Sequence, residues 1–129
     1  NTSIYRVQTE HPNSQRLMVD GSGNVSHQGS GRLYLNMSGN IGHSQSFRGG
    51  GGQIVAFDLP SSLVSSIRNS ALPQRIPKDF LGSKREWNFL RKISPEIADP
   101  RVSPGLIGVP GGMIDDIMSS IIPGSGRIL

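Results

Sequence analysis

The sequence predicts a small α+β domain in which helices pack on one face of an antiparallel β-sheet. Residues 1–59 contain short runs of β-branched, aromatic or alternating residues, and glycine-rich turns separate several of these runs. Residues 60–129 instead place apolar residues at helical spacing. Because 129 residues are enough for one modest core, we expect a single domain over residues 1–129. We expect it to be β-rich in 1–59 and rich in helix and loop in 60–129.

Five runs in the first half predict strands. They cover residues 3–8, 15–20, 24–28, 32–37 and 53–59. The sequences DGSGN and QGSG separate the second, third and fourth runs, and such sequences are typical of hairpin turns. We therefore expect these three runs to form a meander within residues 15–37.

The second half predicts helices joined by loops. Pro60 and the two serines after it open the first helix, which places Leu63, Val64 and Ile67 on one face. Residues 77–93 predict one or two further short helices.

Prolines dominate the next segment of the chain. Four prolines between residues 94 and 111 predict an irregular connection. Residues 112–122 then predict a last helix with a wide apolar face, which ends at the sequence PGSG.

Alternation along the fourth run assigns its side chains to two faces. Leu33 and Leu35 point to one face, so Arg32, Tyr34 and Asn36 point to the other. The second face is therefore polar, cationic and aromatic at once.

His27 precedes the glycine-rich turn between the third and fourth runs. It shares a face with Val25, which places it toward the core unless a β-bulge at the neighbouring glycines turns it away. The side of the sheet on which His27 lies decides whether it can act together with Arg32 and Tyr34.

The positive charge of the chain is concentrated in one segment. The net charge is +4, yet residues 68–92 alone carry seven basic and two acidic residues, a net of +5. Two interpretations are open: a solvated surface that aids solubility, or a patch that faces phosphates, with Trp87 and Phe89 available to stack on bases. The residues expected to bind RNA are Arg75, Lys78, Lys84, Arg85, Trp87, Arg91 and Lys92.

Several classes of protein and site are excluded or disfavoured by composition. The chain has no cysteine, so disulfides and cysteine-based zinc sites are excluded. No apolar run approaches the roughly 20 residues of a membrane span. The first residues do not form a signal peptide and do not begin with methionine, so we expect a piece of a longer protein. The sequence RGGGG at residues 48–52 lacks the register of a phosphate-binding loop and predicts a flexible loop.

Three histidines are candidates for acid–base chemistry: His11, His27 and His43. Cleavage of RNA without a metal needs one group that takes the 2′-hydroxyl proton and another that protonates the leaving oxygen. His27 and His43 are the candidates here, with His43 in a polar loop, whereas His11 before Pro12 is typical of a turn. No histidine pair has metal-ligand spacing, so we expect no metal site and no cofactor.

Arginines on the predicted strands are candidates for binding an anion. Arg6, Arg16 and Arg32 each offer a rigid fork that suits phosphate, although a strand arginine also protects a sheet edge from aggregation. Tyr34 next to Arg32 can stack on a base or act as a hydrogen-bonding acid. The catalytic candidates are therefore His27, His43, Arg16, Arg32, Tyr34 and Arg6.

Four short stretches resemble the C-terminal toxin domains of bacterial polymorphic toxins of the Rhs and contact-dependent growth-inhibition type. They are IYRV at 4–7, GRLYLN at 31–36, VAFDLP at 55–60 and IIPGSG at 121–126. The resemblance implies an effector that is secreted or delivered from a cell surface as part of a larger protein. Such an effector acts in the target-cell cytoplasm and is neutralised by a cognate immunity protein.

The resemblance leaves two chemistries open. The first is metal-independent cleavage of tRNA or rRNA on a sheet surface, as in barnase- and RelE-like nucleases. The second is ADP-ribosyl transfer from NAD, for which Arg6 resembles the first-strand arginine of one transferase class. That class needs a glutamate on a late strand, and Glu10, Glu86 and Glu96 lie in no matching motif. We therefore expect a ribonuclease, with the transferase and a non-catalytic binding module as alternatives.

Overall fold

The structure is a computed structural model, and it describes residues 1–48, 52–98 and 105–129. Within these ranges the chain forms nine strands and four helices. The strands are β1 (Thr2–Gln8), β2 (Leu17–Val19), β3 (Val25–His27), β4 (Leu33–Asn36), β5 (Gln53–Leu59), β6 (Leu72–Pro73), β7 (Glu96–Ile97), β8 (Leu106–Val109) and β9 (Arg127–Ile128). The helices are α1 (Ile41–Arg48), α2 (Ser61–Ser70), α3 (Lys84–Ile93) and α4 (Ile114–Ser120).

Seven strands form one mixed sheet in the order β6-β7-β8-β4-β1-β5-β9, and β2 and β3 form a separate hairpin. All neighbours in the large sheet are antiparallel except β6 and β7, which run parallel. The predicted α+β class and antiparallel sheet are confirmed. The longest pairing joins β1 to β5 along their full lengths, from Thr2 opposite Leu59 to Gln8 opposite Gln53.

The main core lies on one face of the large sheet, which we call the core face. Its strands contribute fully buried side chains such as Ile4, Leu35 and Phe57. Helices α2 and α4 pack on this face together with the β2–β3 hairpin, which contributes Leu17. The opposite face, called the second face below, carries a smaller cluster that includes Tyr5, and α1 covers part of it.

The predicted three-strand meander is wrong at its last strand. The β2–β3 hairpin forms as expected, but β4 does not pair with β3 and instead lies between β1 and β8. In this position Leu33 and Leu35 are buried on the core face, and the backbone of β4 has partners on both sides. Hydrogen bonding along both edges of β4 and burial of its apolar face therefore outweigh the local preference for a hairpin with β3.

Two loop predictions are also wrong. The segment predicted as an irregular connection forms β7 and β8 in its described part, while residues 99–104 lie outside the described residues. Pro110 ends β8 rather than preventing it, because the apolar run Leu106–Val109 can still pair with β4. His43 lies on helix α1 and not in a polar loop.

The remaining predictions concern helices and the glycine run. Helices α2, α3 and α4 form within the predicted segments, and α3 is a single helix. Residues 49–51 of the glycine run lie outside the described residues, so its predicted flexibility stays a prediction. Within the described ranges, no helix has the length and apolar character needed to cross a membrane.

Candidate functional site

A row of residues crosses three neighbouring strands on the second face. Tyr34 on β4 is directly opposite Gly108 on β8, and Gly108 is directly opposite Glu96 on β7. Because opposed residues in a sheet point to the same side, Tyr34 and Glu96 stand on either side of a position that has no side chain. Strand pairing thus joins residues that are far apart in the sequence.

Gly108 leaves the space that Arg32 and Tyr34 occupy. A Cβ atom added at Gly108 would lie 2.7 Å from Cδ of Arg32 and 2.8 Å from Cε1 of Tyr34. Real Cβ atoms are essentially never this close to another atom, so a side chain here would displace both residues. The glycine therefore leaves room for both side chains, and Arg32 extends from there to within 3.7 Å of Glu96.

Arg32 joins the sheet to the carboxyl end of helix α3. Its Nη1 donates to the carbonyls of Gly108 and Ser94, at 2.7 and 2.9 Å, and its Nη2 donates to the carbonyl of Arg91. The last carbonyls of a helix have no partner within the helix, and a cation near them is favourable. Arg32 therefore fixes the orientation of α3 against the sheet edge.

The amino end of α3 is fixed by its own sequence. Ser83 is the N-cap, and its hydroxyl accepts a hydrogen bond from the backbone N–H of Glu86. The Ser83 hydroxyl also donates to the Glu86 carboxylate. Trp87 anchors the helix, with 5% of its surface exposed and its ring edge-on to Phe80. The remaining sides of α3 face solvent.

A cavity of about 330 Å³ opens where α3 meets the sheet edge, and we call it the Arg32–Glu96 site. Its lining residues are Arg32, Asn88, Arg91, Lys92 and Glu96. Three cations and one carboxylate give the lining a formal charge of +2. The Glu96 carboxylate lies 3.7 Å from Nε of Arg32 and 3.6 Å from Nη2 of Arg91. The site therefore combines a buried carboxylate, 6% exposed, with an excess of positive charge.

Arg91 has a further donor that is not used within the described part of the chain. Its Nε is buried and has no hydrogen-bond partner there. An unpaired buried donor costs about 1–3 kcal/mol, so such groups call for an acceptor.

Arg6 and Arg16 lie elsewhere, on the core-face side of the sheet, where they attach the β2–β3 hairpin. Arg6 donates to the side chain of Gln8 and to the carbonyls of Ser14 and Tyr34. Arg16 donates to the carbonyls of Gln28, Gly31 and Arg32. Burial, and then the neighbouring charge of Arg16, lower the pKa of Arg6 to about 10. The hydrogen bonds of both arginines go to protein groups that hold the fold together.

His27 lies on the core-face side, as simple alternation predicts. It is directly opposite Leu17, which belongs to the main core. Its Nε2 is 2.9 Å from Oδ1 of Asp115 on α4, and α4 packs on the same side. No bulge turns the ring to the second face, so the structure does not bring His27 together with Arg32 and Tyr34.

The other two histidines are also separate from the Arg32–Glu96 site. His43 lies on α1, next to Ser44, whose hydroxyl accepts a hydrogen bond from the buried side chain of Asn36. His11 caps a short turn, where its Nδ1 accepts from the backbone N–H of Asn13. In the parts of the chain that the structure describes, no three histidine or acidic side chains lie close enough together to hold a metal ion.

The predicted RNA-binding residues divide into three groups. Arg91 and Lys92 line the Arg32–Glu96 site. Arg75, Lys78, Lys84 and Arg85 are exposed on α3 and the segment before it. Trp87 is buried, so the prediction that it stacks on bases is wrong; its apolar ring is needed to anchor α3.

Three residues of this region were not predicted as site residues: Glu96, Gly108 and Asn88. Glu96 and Gly108 fall within the segment predicted to be irregular, so no strand pairing was expected there. The apolar run Leu106–Val109 was the one signal that could have revealed β8.

We compared the chain with family models, with curated proteins and with solved structures, and none of the three comparisons gave a match.

Proposed function

We propose that this domain cleaves single phosphodiester bonds of RNA without a metal ion, at the Arg32–Glu96 site. The observation that carries this proposal is the buried carboxylate of Glu96 within a cavity that also holds Arg32, Arg91 and Lys92. A carboxylate can take a proton from a 2′-hydroxyl, and the three cations match the charge of a phosphate.

The proposed reaction uses these groups together with Tyr34, which does not line the cavity but lies across Gly108 from Glu96. Glu96 takes the 2′-hydroxyl proton, and the 2′ oxygen attacks the adjacent phosphorus. Arg32, Arg91 and Lys92 stabilise the charge that develops on the phosphorane. The bond from phosphorus to the 5′ oxygen then breaks, and the Tyr34 hydroxyl protonates the leaving oxygen. The products are a 2′,3′-cyclic phosphate and a free 5′-hydroxyl. Glu96 then releases its proton to water and Tyr34 takes a proton back from water, which restores both residues.

We propose a biological setting on the basis of the short sequence stretches that resemble polymorphic toxins. In that setting the domain belongs to a larger secreted or surface-delivered protein and acts on tRNA or rRNA in the target-cell cytoplasm. A cognate immunity protein then binds it in the producing cell.

A second candidate function is NAD-dependent ADP-ribosyl transfer. The observation that favours it is the location of Glu96 on strand β7, because a strand glutamate is what the transferase resemblance required. The position of Arg6 argues against it, since Arg6 points to the core-face side and Glu96 to the second face.

One experiment separates these functions. Purified protein is incubated with total RNA, with and without EDTA and with and without labelled NAD. The ribonuclease proposal predicts fragments with cyclic phosphate ends in the presence of EDTA. Labelled RNA or protein without fragments would instead favour the transferase, and neither product would leave a non-catalytic binding module.

A further inference from the structure

One exposed aromatic residue lies beside the Arg32–Glu96 site. Phe89 is 61% exposed on α3, although a phenylalanine normally packs inside a protein. It follows Arg85 by four residues and precedes Lys92 by three, so the three side chains lie on one face of the helix. We call this face the Arg85–Phe89–Lys92 surface.

This surface is continuous with the site. Asn88, Arg91 and Lys92 line the cavity, and Arg85 and Phe89 are the next residues around the helix from Lys92. A chain that leaves the cavity along α3 therefore meets a cation, then an aromatic ring with a second cation beside it. Ile93 is also exposed, at 54%, and it follows Phe89 by four residues, so it lies next to Phe89 on the side away from the cavity.

We infer that the Arg85–Phe89–Lys92 surface binds an unpaired RNA strand, with one base stacked on Phe89 and the phosphates beside it on Arg85 and Lys92. This inference rests on the proposed function, and it specifies the substrate as single-stranded RNA next to the cleaved bond. Alternation of aromatic and cationic side chains is how proteins bind single strands, because every base has a face for stacking.

The geometry favours a single strand over a duplex. Bases in a double helix are already stacked on each other, and the major groove of an RNA duplex is too deep and narrow for side chains to read. The Phe89 ring lies on the convex surface of α3, so it can stack only on a base that is turned out of an RNA duplex or is unpaired.

The test measures binding to a probe that cannot be cleaved. The probe is a fluorescein-labelled, unstructured RNA of twelve nucleotides with 2′-O-methyl groups throughout, used alone and as a duplex with its complement. Anisotropy should show that Phe89→Ala weakens single-strand binding roughly 5- to 150-fold, the range for one base stack. Duplex binding should change less than about two-fold, because duplex contacts are electrostatic.

Three further variants identify the cause of any change. Phe89→Trp keeps an aromatic ring and should retain single-strand affinity, whereas Phe89→Leu keeps only apolar surface and should behave like Phe89→Ala. Ile93→Ala is the control for apolar area, because Ile93 is exposed (54%) beside Phe89 on the same helix but has no ring on which a base can stack, so this variant should bind normally.

Two results would overturn the inference: unchanged single-strand affinity in Phe89→Ala, or full rescue by Phe89→Leu. The second result, with an equal loss in Ile93→Ala, would show that the RNA contacts apolar area on α3 without a base stacked on Phe89. Since the probe lacks the attacking hydroxyl, binding that depends on Phe89 supports this inference even if total RNA is not cleaved. Cleavage with binding that ignores Phe89 supports the proposed function alone.

Discussion

Arg32 contributes to the molecule in two ways. Its Nη1 and Nη2 donors hold the end of α3 through backbone carbonyls, while its Nε faces the carboxylate of Glu96. The same guanidinium therefore positions the helix and adds positive charge to the cavity. A lysine could not replace it, because an ammonium group lacks the planar fork that reaches several acceptors at once.

The proposed roles of Tyr34 and His27 lead to opposite expectations for two variants. Tyr34→Phe removes only the hydroxyl of a residue that is 38% exposed, so cleavage should fall about 10²- to 10⁴-fold, the usual contribution of a general acid, with little change in stability. His27→Ala should leave cleavage within about two-fold of wild type, because His27 lies on the opposite side of the sheet. Initial cleavage rates of one defined RNA substrate compare the two variants.

The control for this comparison is the thermal unfolding midpoint of each variant. Asp115 is 93% exposed, and exposed ion pairs contribute about 0–1 kcal/mol, so loss of the His27–Asp115 contact should shift the midpoint only slightly. If correctly folded His27→Ala loses most of its cleavage activity while Tyr34→Phe stays fully active, His27 and not Tyr34 takes part in the proton transfers.

At the scale of elements, the β2–β3 hairpin depends on the carboxylate of Asp20. Its Oδ1 accepts hydrogen bonds from the backbone N–H groups of Ser22 and Asn24, and its Oδ2 accepts one from the Asn24 side chain. These bonds favour the charged form, so they hold the pKa of Asp20 below its ordinary value, with the backbone bond from Asn24 as the largest cause.

A pH-dependent contribution to stability follows from this lowered pKa. The ionised carboxylate stabilises the fold above the ordinary pKa of aspartate, and this contribution disappears as the pH falls through the lower pKa of the folded state. Asp20→Asn imitates the protonated acid, so it should be less stable than wild type at pH 7, and this difference should be smaller near pH 2. Urea midpoints at both values measure the difference, and a difference that does not depend on pH would contradict this account.

The sequence predicted those elements whose signals are local. Strand β5 was predicted with its observed limits, because Gln53–Leu59 is rich in β-branched and aromatic residues. Helix α2 was located by Pro60 and the serines after it. The edge β6–β7–β8 was missed, because the chain around it is rich in proline and the strands form only by pairing with distant partners.

Only part of the candidate site could be predicted from the sequence, because the rest depends on pairing between distant strands. Alternation alone placed Arg32 and Tyr34 together on the second face. Glu96 joins them only through the pairing of β4 with β8 and of β8 with β7. Likewise, the sequence does not show which of Trp87 and Phe89 is buried. The packing of Trp87 against Phe80 in the folded chain distinguishes them.

Positive charge is concentrated in one segment of the chain, which includes α3. The segment 68–92 carries a net charge of +5, whereas residues 93–129 carry −2. Such asymmetry attracts an anionic polymer toward α3 and orients it before specific contacts form. The slope of log K against log salt measures how many phosphates these cations neutralise.

Neutralising the basic residues of α3 should reduce this slope. Glutamine at Lys84, Arg85, Arg91 and Lys92 removes four cations, and each lost phosphate contact on a single strand lowers the slope by about 0.7. Filter binding of single-stranded RNA between 50 and 200 mM salt is the measurement. Arg68→Gln removes one cation from α2, a helix that packs on the core face, and this control should leave the slope unchanged. An unchanged slope in the fourfold variant would show that α3 does not contact the RNA backbone.

The central claim is that Glu96 is the base of a metal-independent ribonuclease, and the rate of the chemical step tests it most directly. Single-turnover cleavage of a defined RNA is measured in EDTA for wild type and Glu96→Gln, with Asp116→Asn on α4 as the matched control. Thermal unfolding confirms that each variant is folded. We expect Glu96→Gln to cleave about 10²- to 10⁴-fold more slowly, with cyclic phosphate ends in wild type and normal rates in the control. Wild-type rates in folded Glu96→Gln would contradict the account.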